Sequence, residues 1–367
     1  MKQAAQKVLT HYFLKKGYSS HCAYLLAKEF ATDVFENRQN SLKQKAWAYR
    51  RGFLSSDIDN YGLTEKNYRD YLSNSEYYRH YPFNGKYDKW VDDKITIKYI
   101  LYPFRDYMPK YYYHIRKKGE MIPLMDADDI DPQMPKTILE LLAREKRLAL
   151  KLTSSQSGIG FHKISFIDGD YQIDNKPSTE EEAIQFIENL DGYLVSEYII
   201  AHPDIERIYG GSQNTARVMV INEDGRHPVI ANSYMRFGSS RSGLIDNVPA
   251  GGMAAIIDVG NGRFHNALMI ENHHILWRRV HPDTHVVVEG TVPHWDMISE
   301  KLIEISRFLS ELTYMGFDIA PTEDGFKICE INSLQSLARF QNEYPLLVDN
   351  AASTFFNGRI KKHGIMR

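Results

Sequence analysis

The chain has 367 residues, 43% of them hydrophobic and 25% charged, which suffices for an ordinary buried core and excludes a mostly disordered polymer. Its length predicts two or three lobes, and 45 Lys and Arg against 47 Asp and Glu give a net charge of −2, which argues against a general nucleic-acid coat. Cys22 and Cys329 alone cannot make a disulfide framework or a four-cysteine zinc site, no apolar run is long enough to span a bilayer, and no leader is visible after Met1, so a cytoplasmic location is expected.

Residues 1–53 read as helices, with Val8, Leu9, Tyr12 and Phe13, then Ala23, Leu26, Ala27 and Phe30, at helical spacing. The basic stretch 37–51 fits a solvated helix face better than a phosphate or polysaccharide contact. Residues 54–90 are polar and tyrosine-rich and read as a connector with short helices. A helix capped by Asp92 or Asp93 follows. The basic, aromatic run 109–119 reads as a packed strand or helix with a cationic edge rather than a nucleic-acid site.

From residue 136 helices and strands alternate. Helices are predicted over 137–145, 179–189 and 293–313, and strands over 148–152, 161–167, 193–200, 216–222 and 229–235. Residues 317–332 read as a β-hairpin.

Four places could carry chemistry. The loop Ser154 to Gly160, entered from Lys151, offers backbone N–H groups, hydroxyls and a point charge to an anion, yet it is neither a Walker loop nor a Rossmann fingerprint, and such loops are often only loops. In the hairpin, a three-residue turn at Glu323-Asp324-Gly325 would set Asp318 opposite Glu330, with Asn332 on the same face. Those oxygens suit Mg²⁺, although an exposed polar face of an edge hairpin reads the same way. Arg217 and Arg236 are bidentate partners for phosphate or carboxylate, or surface salt-bridge residues. The Gly- and Ser-rich loop 236–253 offers Asp246, Asn247, Gly251 and Gly252 to a polar substrate. The adjacent His273-His274 lack a helical His pair and do not read as zinc ligands.

Taken in order, these pieces resemble the ATP-grasp superfamily, and within it the sugar-transfer-associated branch found with capsule and exopolysaccharide genes. The matching residues are Leu150-Lys151 and the loop after them, Ser196-Glu197-Tyr198-Ile199, Asn214-Thr215-Ala216-Arg217-Val218, Arg236, Asp246-Asn247 with Gly251-Gly252, His281-Pro282-Asp283-Thr284, Val292-Pro293-His294-Trp295, and Gly316-Phe317-Asp318 with Cys329-Glu330-Ile331-Asn332. They cover about residues 90–345. Ala216 stands where the family often has a larger residue, and the small-lobe loop lacks a glycine pair.

The resemblance implies an α+β ATP-grasp fold, two lobes enclosing ATP, divided as a helical region 1–90, a pre-grasp segment and smaller lobe 91–200, and a larger lobe 201–367. It assigns nucleotide contacts to Lys98, Lys151, Ser157, Gly158, Gly160, Glu197, Tyr198 and Ile199, and Mg²⁺ to Asp318, Glu330 and Asn332. Arg217 and Arg236 become the catalytic pair, and Asp246, Asn247, Gly251 and Gly252 the substrate contacts. The implied reaction is ATP-dependent ligation of a carboxylate to an amine through an acyl phosphate. Its implied substrates are a saccharide acid and an amino acid or amine, with polysaccharide biosynthesis enzymes as associates. A phosphotransferase and a non-catalytic nucleotide-binding scaffold are the alternatives.

Overall fold

The computed structural model describes residues 1–153, 160–348 and 350–362. Helices α1 (Lys2–Lys15) and α2 (Ser20–Glu36) form a hairpin around Phe13, Ala23, Leu26, Ala27 and Phe30, the apolar positions noted in the sequence. Gly17, at φ 85°, makes the turn, and Ser19 accepts from Cys22 N to cap α2. Helices α3 (Leu42–Arg50) and α4 (Ser56–Tyr61) are tied to α2 through buried Asp33, which accepts from Tyr49 Oη at 2.7 Å and from Ser55 N and Oγ at 2.9 and 2.6 Å.

The stretch 54–90 does more than connect. It contains α4, α5 (Asn74–Arg79) and the start of α6 (Lys89–Asp92), and it sends Leu72, Tyr77 and Phe83 into a core shared with the second sheet. Asn84 is the main rivet. Its Oδ1 accepts from Thr313 N and Tyr314 N at 2.8 and 2.9 Å, and its Nδ2 donates to Tyr314 O and Asp88 Oδ1 at 3.0 and 2.8 Å. Helix α7 (Lys94–Ile100) follows, with Asp93 as its cap, accepting from Thr96 N at 2.7 Å.

The first sheet holds β1 (Tyr111–Ile115), β2 (Met121–Pro123), β3 (Arg147–Leu152), β4 (His162–Ile167), β5 (Asp170–Ile173), β6 (Lys176–Ser178) and β7 (Tyr193–Glu197), in the order β2-β1-β7-β3-β4-β5-β6, all antiparallel. The aromatic run 109–119 thus becomes β1 and its flanks. Helices α8 (Lys136–Glu145) and α9 (Glu180–Glu188) set Ile138, Leu142, Ala183 and Ile187 against Leu148, Leu150, Ile164 and Val195. Thr179 and Glu182 close a reciprocal cap at the start of α9.

After α10 (Pro203–Glu206) comes the second sheet, made of β8 (Ala216–Ile221), β9 (Val229–Phe237), β10 (Met253–Ile257), β11 (Arg263–Glu271), β12 (His274–Trp277), β13 (Gly290–Thr291), β14 (Tyr314–Thr322) and β15 (Gly325–Asn332). Its order is β12-β11-β10-β9-β8-β14-β15, with β13 paired to β11. Helix α11 (Trp295–Phe308) covers one face, and α12 (Ala351–Lys362) packs on the other through Phe355 and Phe356. Helix α11 is shorter than the predicted 293–313. Thr313 is committed to Asn84 and Phe83 O, which draws the chain into strand before the helical pattern ends.

The β14–β15 hairpin also departs from expectation. Thr322 pairs with Gly325, so the turn holds two residues, not three. A bulge at Cys329 then restores Asp318 opposite Glu330.

Replacing Asn84 by Ala removes partners from three peptide groups at the joint between α5, α6 and β14. Stability to urea should fall by about 2–3 kcal/mol without loss of the fold. A loss below about 0.5 kcal/mol would mean that these groups reach water instead.

Candidate active site

Strand alternation decides which side chains meet. On β8, Ala216, Val218 and Val220 join the core beneath α11, while Met219 and Ile221 join the core on the α12 side. Arg217 therefore belongs to the α12 face. On β14, Phe317 and Ile319 point to the α11 core, which leaves Asp318 on the face of Arg217, directly opposite it.

On β15, Phe326 and Ile328 are in the α11 core, and so is Ile331. The apolar parity switches from even to odd across Cys329. A regular strand would have sent Glu330 beneath α11; the bulge turns it to the face of Asp318 instead. Register and bulge together line up Arg217, Asp318 and Glu330 across three strands.

Arg217 grips Asp318 with two parallel hydrogen bonds, Nε to Oδ1 and Nη2 to Oδ2, the latter 2.9 Å. Arg236, from β9, sets Nη2 3.1 Å from Asp318 Oδ2 and Nε 3.3 Å from Asp246 Oδ2. Asp246 accepts from Thr215 N and Oγ1 at 2.8 and 2.6 Å, and that hydroxyl accepts from Arg236 Nη2. Burial alone would push the Asp318 carboxyl up, but Arg217 and then Arg236 outweigh it and hold it below the usual carboxylate range.

These groups line one wall of a cavity of about 600 Å³. Lys151, from the first sheet, lines it from the other lobe. Burial lowers the Lys151 ammonium from its ordinary value. Lys94, at the start of α7, also reaches the cavity and lies 3.5 Å from Glu330 Oε1. Burial pushes the Cys329 thiol, in the same wall, up to about 12, so it offers no thiolate nucleophile near neutral pH.

Of the residues named from the sequence, Lys151, Arg217, Arg236, Asp246, Asn247, Asp318, Glu330 and Asn332 share this cavity. Lys98 does not line it. Its Nζ is buried, donates to Pro109 O at 2.8 Å and pairs with Asp126 at 3.2 Å; Lys94, one turn earlier, takes the cavity position. Glu197 lies at the end of β7 with Oε2 accepting from Lys110 N at 2.9 Å, Tyr198 and Ile199 follow it out of the sheet, and none of the three lines this cavity. Gly251, at φ 112°, and Gly252 form the turn behind Asn247, where a Cβ on Gly252 would lie 2.8 Å from Phe237 O. Gly160 ends the small-lobe loop at φ 71°, with no room for a Cβ beside Leu152. Ser157 and Gly158 lie outside the described residues.

Sequence reading missed Lys94, Thr215 and Arg339, and also His21 and Tyr81, which the N-terminal region contributes to the cavity. Lys94 carried a local signal in its place beside the capping Asp93, and Thr215 in its place two residues before Arg217.

The donor set suits a hard divalent cation, because Asp318, Glu330 and Asn332 offer oxygens only, on one face of one hairpin. Among the described residues no three His, Cys, Asp or Glu side chains cluster for a metal, so a cation held here would take its third oxygen from Asn332. Asp318 would share its oxygens with the arginines, whereas Glu330 has one long contact to Lys94.

A family profile described as sugar-transfer associated ATP-grasp matches residues 72–348. The chain belongs to that family. Its fold is therefore ATP-grasp, with the two antiparallel sheets as the two lobes and a helical N-terminal region. Among solved structures it is similar to the ATP-grasp ligase PsnB complexed with minimal precursor (12% identity, TM-score 0.39, 76% of this chain and 63% of that one). It is also similar to the VanG D-Ala:D-Ser ligase from Enterococcus faecalis (13%, 0.40, 74% and 61%) and to D-alanyl-alanine synthetase A from Vibrio cholerae (12%, 0.40, 75% and 65%). The chain spans less than two thirds of the length of each. No curated protein sequence matches it.

Asp318→Asn leaves Arg217 without its counter-charge and should cost about 3–5 kcal/mol at neutral pH. Because the folded carboxyl is depressed, the gap between wild type and variant should be complete above about pH 4 and shrink only as pH falls below it. Urea titrations from pH 3 to 7 measure this; a gap that already narrows between pH 7 and 5 would rule out the depressed carboxyl.

Proposed function

We propose that this protein is an ATP-dependent carboxylate–amine ligase that works through an acyl phosphate. The observation that carries the reading is the meeting, in one cavity between two lobes, of Lys94 and Lys151, the arginine pair, and the Asp318, Glu330 and Asn332 oxygens.

Each group has work that follows from its setting. Lys151 from the smaller lobe and Lys94 from α7 neutralise the triphosphate, taking the part first assigned to Lys98. The backbone from Glu197 to Ile199 frames the adenine. Asp318, Glu330 and Asn332 would hold Mg²⁺, which when bound neutralises charge on the β- and γ-phosphates. Arg217 and Arg236 hold the reacting carboxylate, and their own acidic partners fix both guanidiniums in advance. The carboxylate oxygen forms a bond to the γ-phosphorus as the bond to ADP breaks. The amine nitrogen then bonds to the acyl carbon, inorganic phosphate leaves with the acyl oxygen, and the amine releases a proton. Asp246 and Asn247 contact substrate from the loop that Gly251 and Gly252 allow to fold back. No protein nucleophile is needed, which agrees with a protonated Cys329.

The family's description supports a saccharide carboxylate, such as a uronic acid, as the activated acid. An amino acid or amine would be the acceptor, in capsule or exopolysaccharide assembly in the cytoplasm, beside the enzymes of that pathway. Among the described residues no helix is long and apolar enough to cross a membrane.

ADP release that requires both a saccharide acid and an amine tests the reading. A stable phosphoester seen by phosphorus NMR would make the protein a phosphotransferase, and no thermal shift with Mg·ATP would make it a scaffold. Glu330→Gln should lower turnover on the order of 100-fold with the fold intact, and unchanged turnover would refute the metal assignment. Lys151→Ala should weaken ATP binding by roughly tenfold or more, the worth of one charge-assisted hydrogen bond, with a smaller effect on the acid. Calorimetry showing equal losses for both ligands would remove Lys151 from the triphosphate.

A further inference from the structure

The chain leaves β15 at Asn332 and makes a 3₁₀ turn, Leu337–Phe340, on the α12 face of the second sheet. The turn is held from both sides. Phe340 O accepts from Asn232 Nδ2 at 2.8 Å, and the Phe340 ring meets Tyr234 edge-on at 5.1 Å. The next residue, Gln341, exchanges two hydrogen bonds with the Leu72 backbone, at 3.1 and 2.8 Å. Arg339 therefore has a fixed backbone.

Its side chain is 8% exposed and lines the cavity beside Tyr234 and Ser336. Arg217 and Arg236 have carboxylates against them; Arg339 has none among the described residues, and burial holds its guanidinium below its ordinary value. A guanidinium at such a place is costly to bury without a counter-charge, and the cavity is the side from which one can arrive. Tyr234 pairs across the strands with Arg217 and lines the same cavity as both guanidiniums.

We propose that Arg339 binds an anionic group, carboxylate or phosphate, carried by the amine substrate. The amine would then lie between Arg339 and the carboxylate held by Arg217 and Arg236. An acidic amine is selected, because a neutral one leaves Arg339 buried and unpaired. Only the identity of the substrate that bears the anion rests on the ligase reading. The presence of an anion subsite does not.

The test uses the full chain with a magnesium-bound, non-hydrolysable ATP analogue present, and sodium acetate or inorganic phosphate as the probe at matched ionic strength. One of the two anions should raise the melting temperature of the wild type, and which one does so separates carboxylate from phosphate. Arg339→Met should lose that rise, while its anion-free melting temperature lies about 2 °C above wild type because the unpaired charge is gone. Arg339→Lys should keep part of the rise. An equal rise in wild type and Arg339→Met, or no rise in wild type with either anion, overturns the proposal. If no acid and amine pair releases ADP while the Arg339-dependent rise is present, the ligase reading fails and the subsite stands. If ADP is released and the rise is absent, only the subsite fails.

Discussion

The face of the second sheet that looks into the cavity is organised by one constraint: two buried guanidiniums must be matched by two buried carboxylates. Arg217 and Arg236 meet Asp318 and Asp246, and Thr215 completes the set. Removing any one member strands a charge in a medium that solvates it poorly, so the four behave as a unit. Charge balance of this kind adds little net stability relative to an apolar core. What it fixes is the direction of each guanidinium fork before any ligand arrives.

That constraint reaches well beyond four side chains. Arg217 and Asp318 can meet only if β8 and β14 pair in the observed register, and Asp246 can meet Arg236 only if the 238–252 loop folds back on Thr215. The N-terminal segment is drawn in as well, since Asn84 anchors the first residues of β14 and Tyr77 Oη donates to Gln335 O at 2.8 Å below the same strand. The helical region and the larger lobe thus share one core, and His21 and Tyr81 complete the cavity wall.

Much of this could be read from the sequence where a periodic pattern and a chemical type coincide. The α1–α2 hairpin, the capped α9, the β14–β15 hairpin and the Asp318–Glu330 pairing all show in local spacing. The turn length could not be fixed that way, because a three-residue turn and a two-residue turn with a bulge give the same facing pair. The deciding signal was the parity switch from Phe326 and Ile328 to Ile331, which makes sense only if one residue is skipped. Lys98 and Lys94 are alike in sequence, and which of them is sealed off depends on Asp126 and Pro109, distant partners that spacing does not reveal. Arg339 had no motif at all. Its meaning comes from the absence of a facing carboxylate among the described residues, a tertiary fact.

The skipped residue at position 329 makes the last hairpin an odd-even counter. Loss of that one residue would leave a regular strand with Glu330 still opposite Asp318 and Ile331 still in the core, whereas straightening the strand at its full length would exchange the two. A surface loop absorbs an insertion at small entropic expense; in this strand the faces are kept only when the residue lost is the one without a partner across the hairpin.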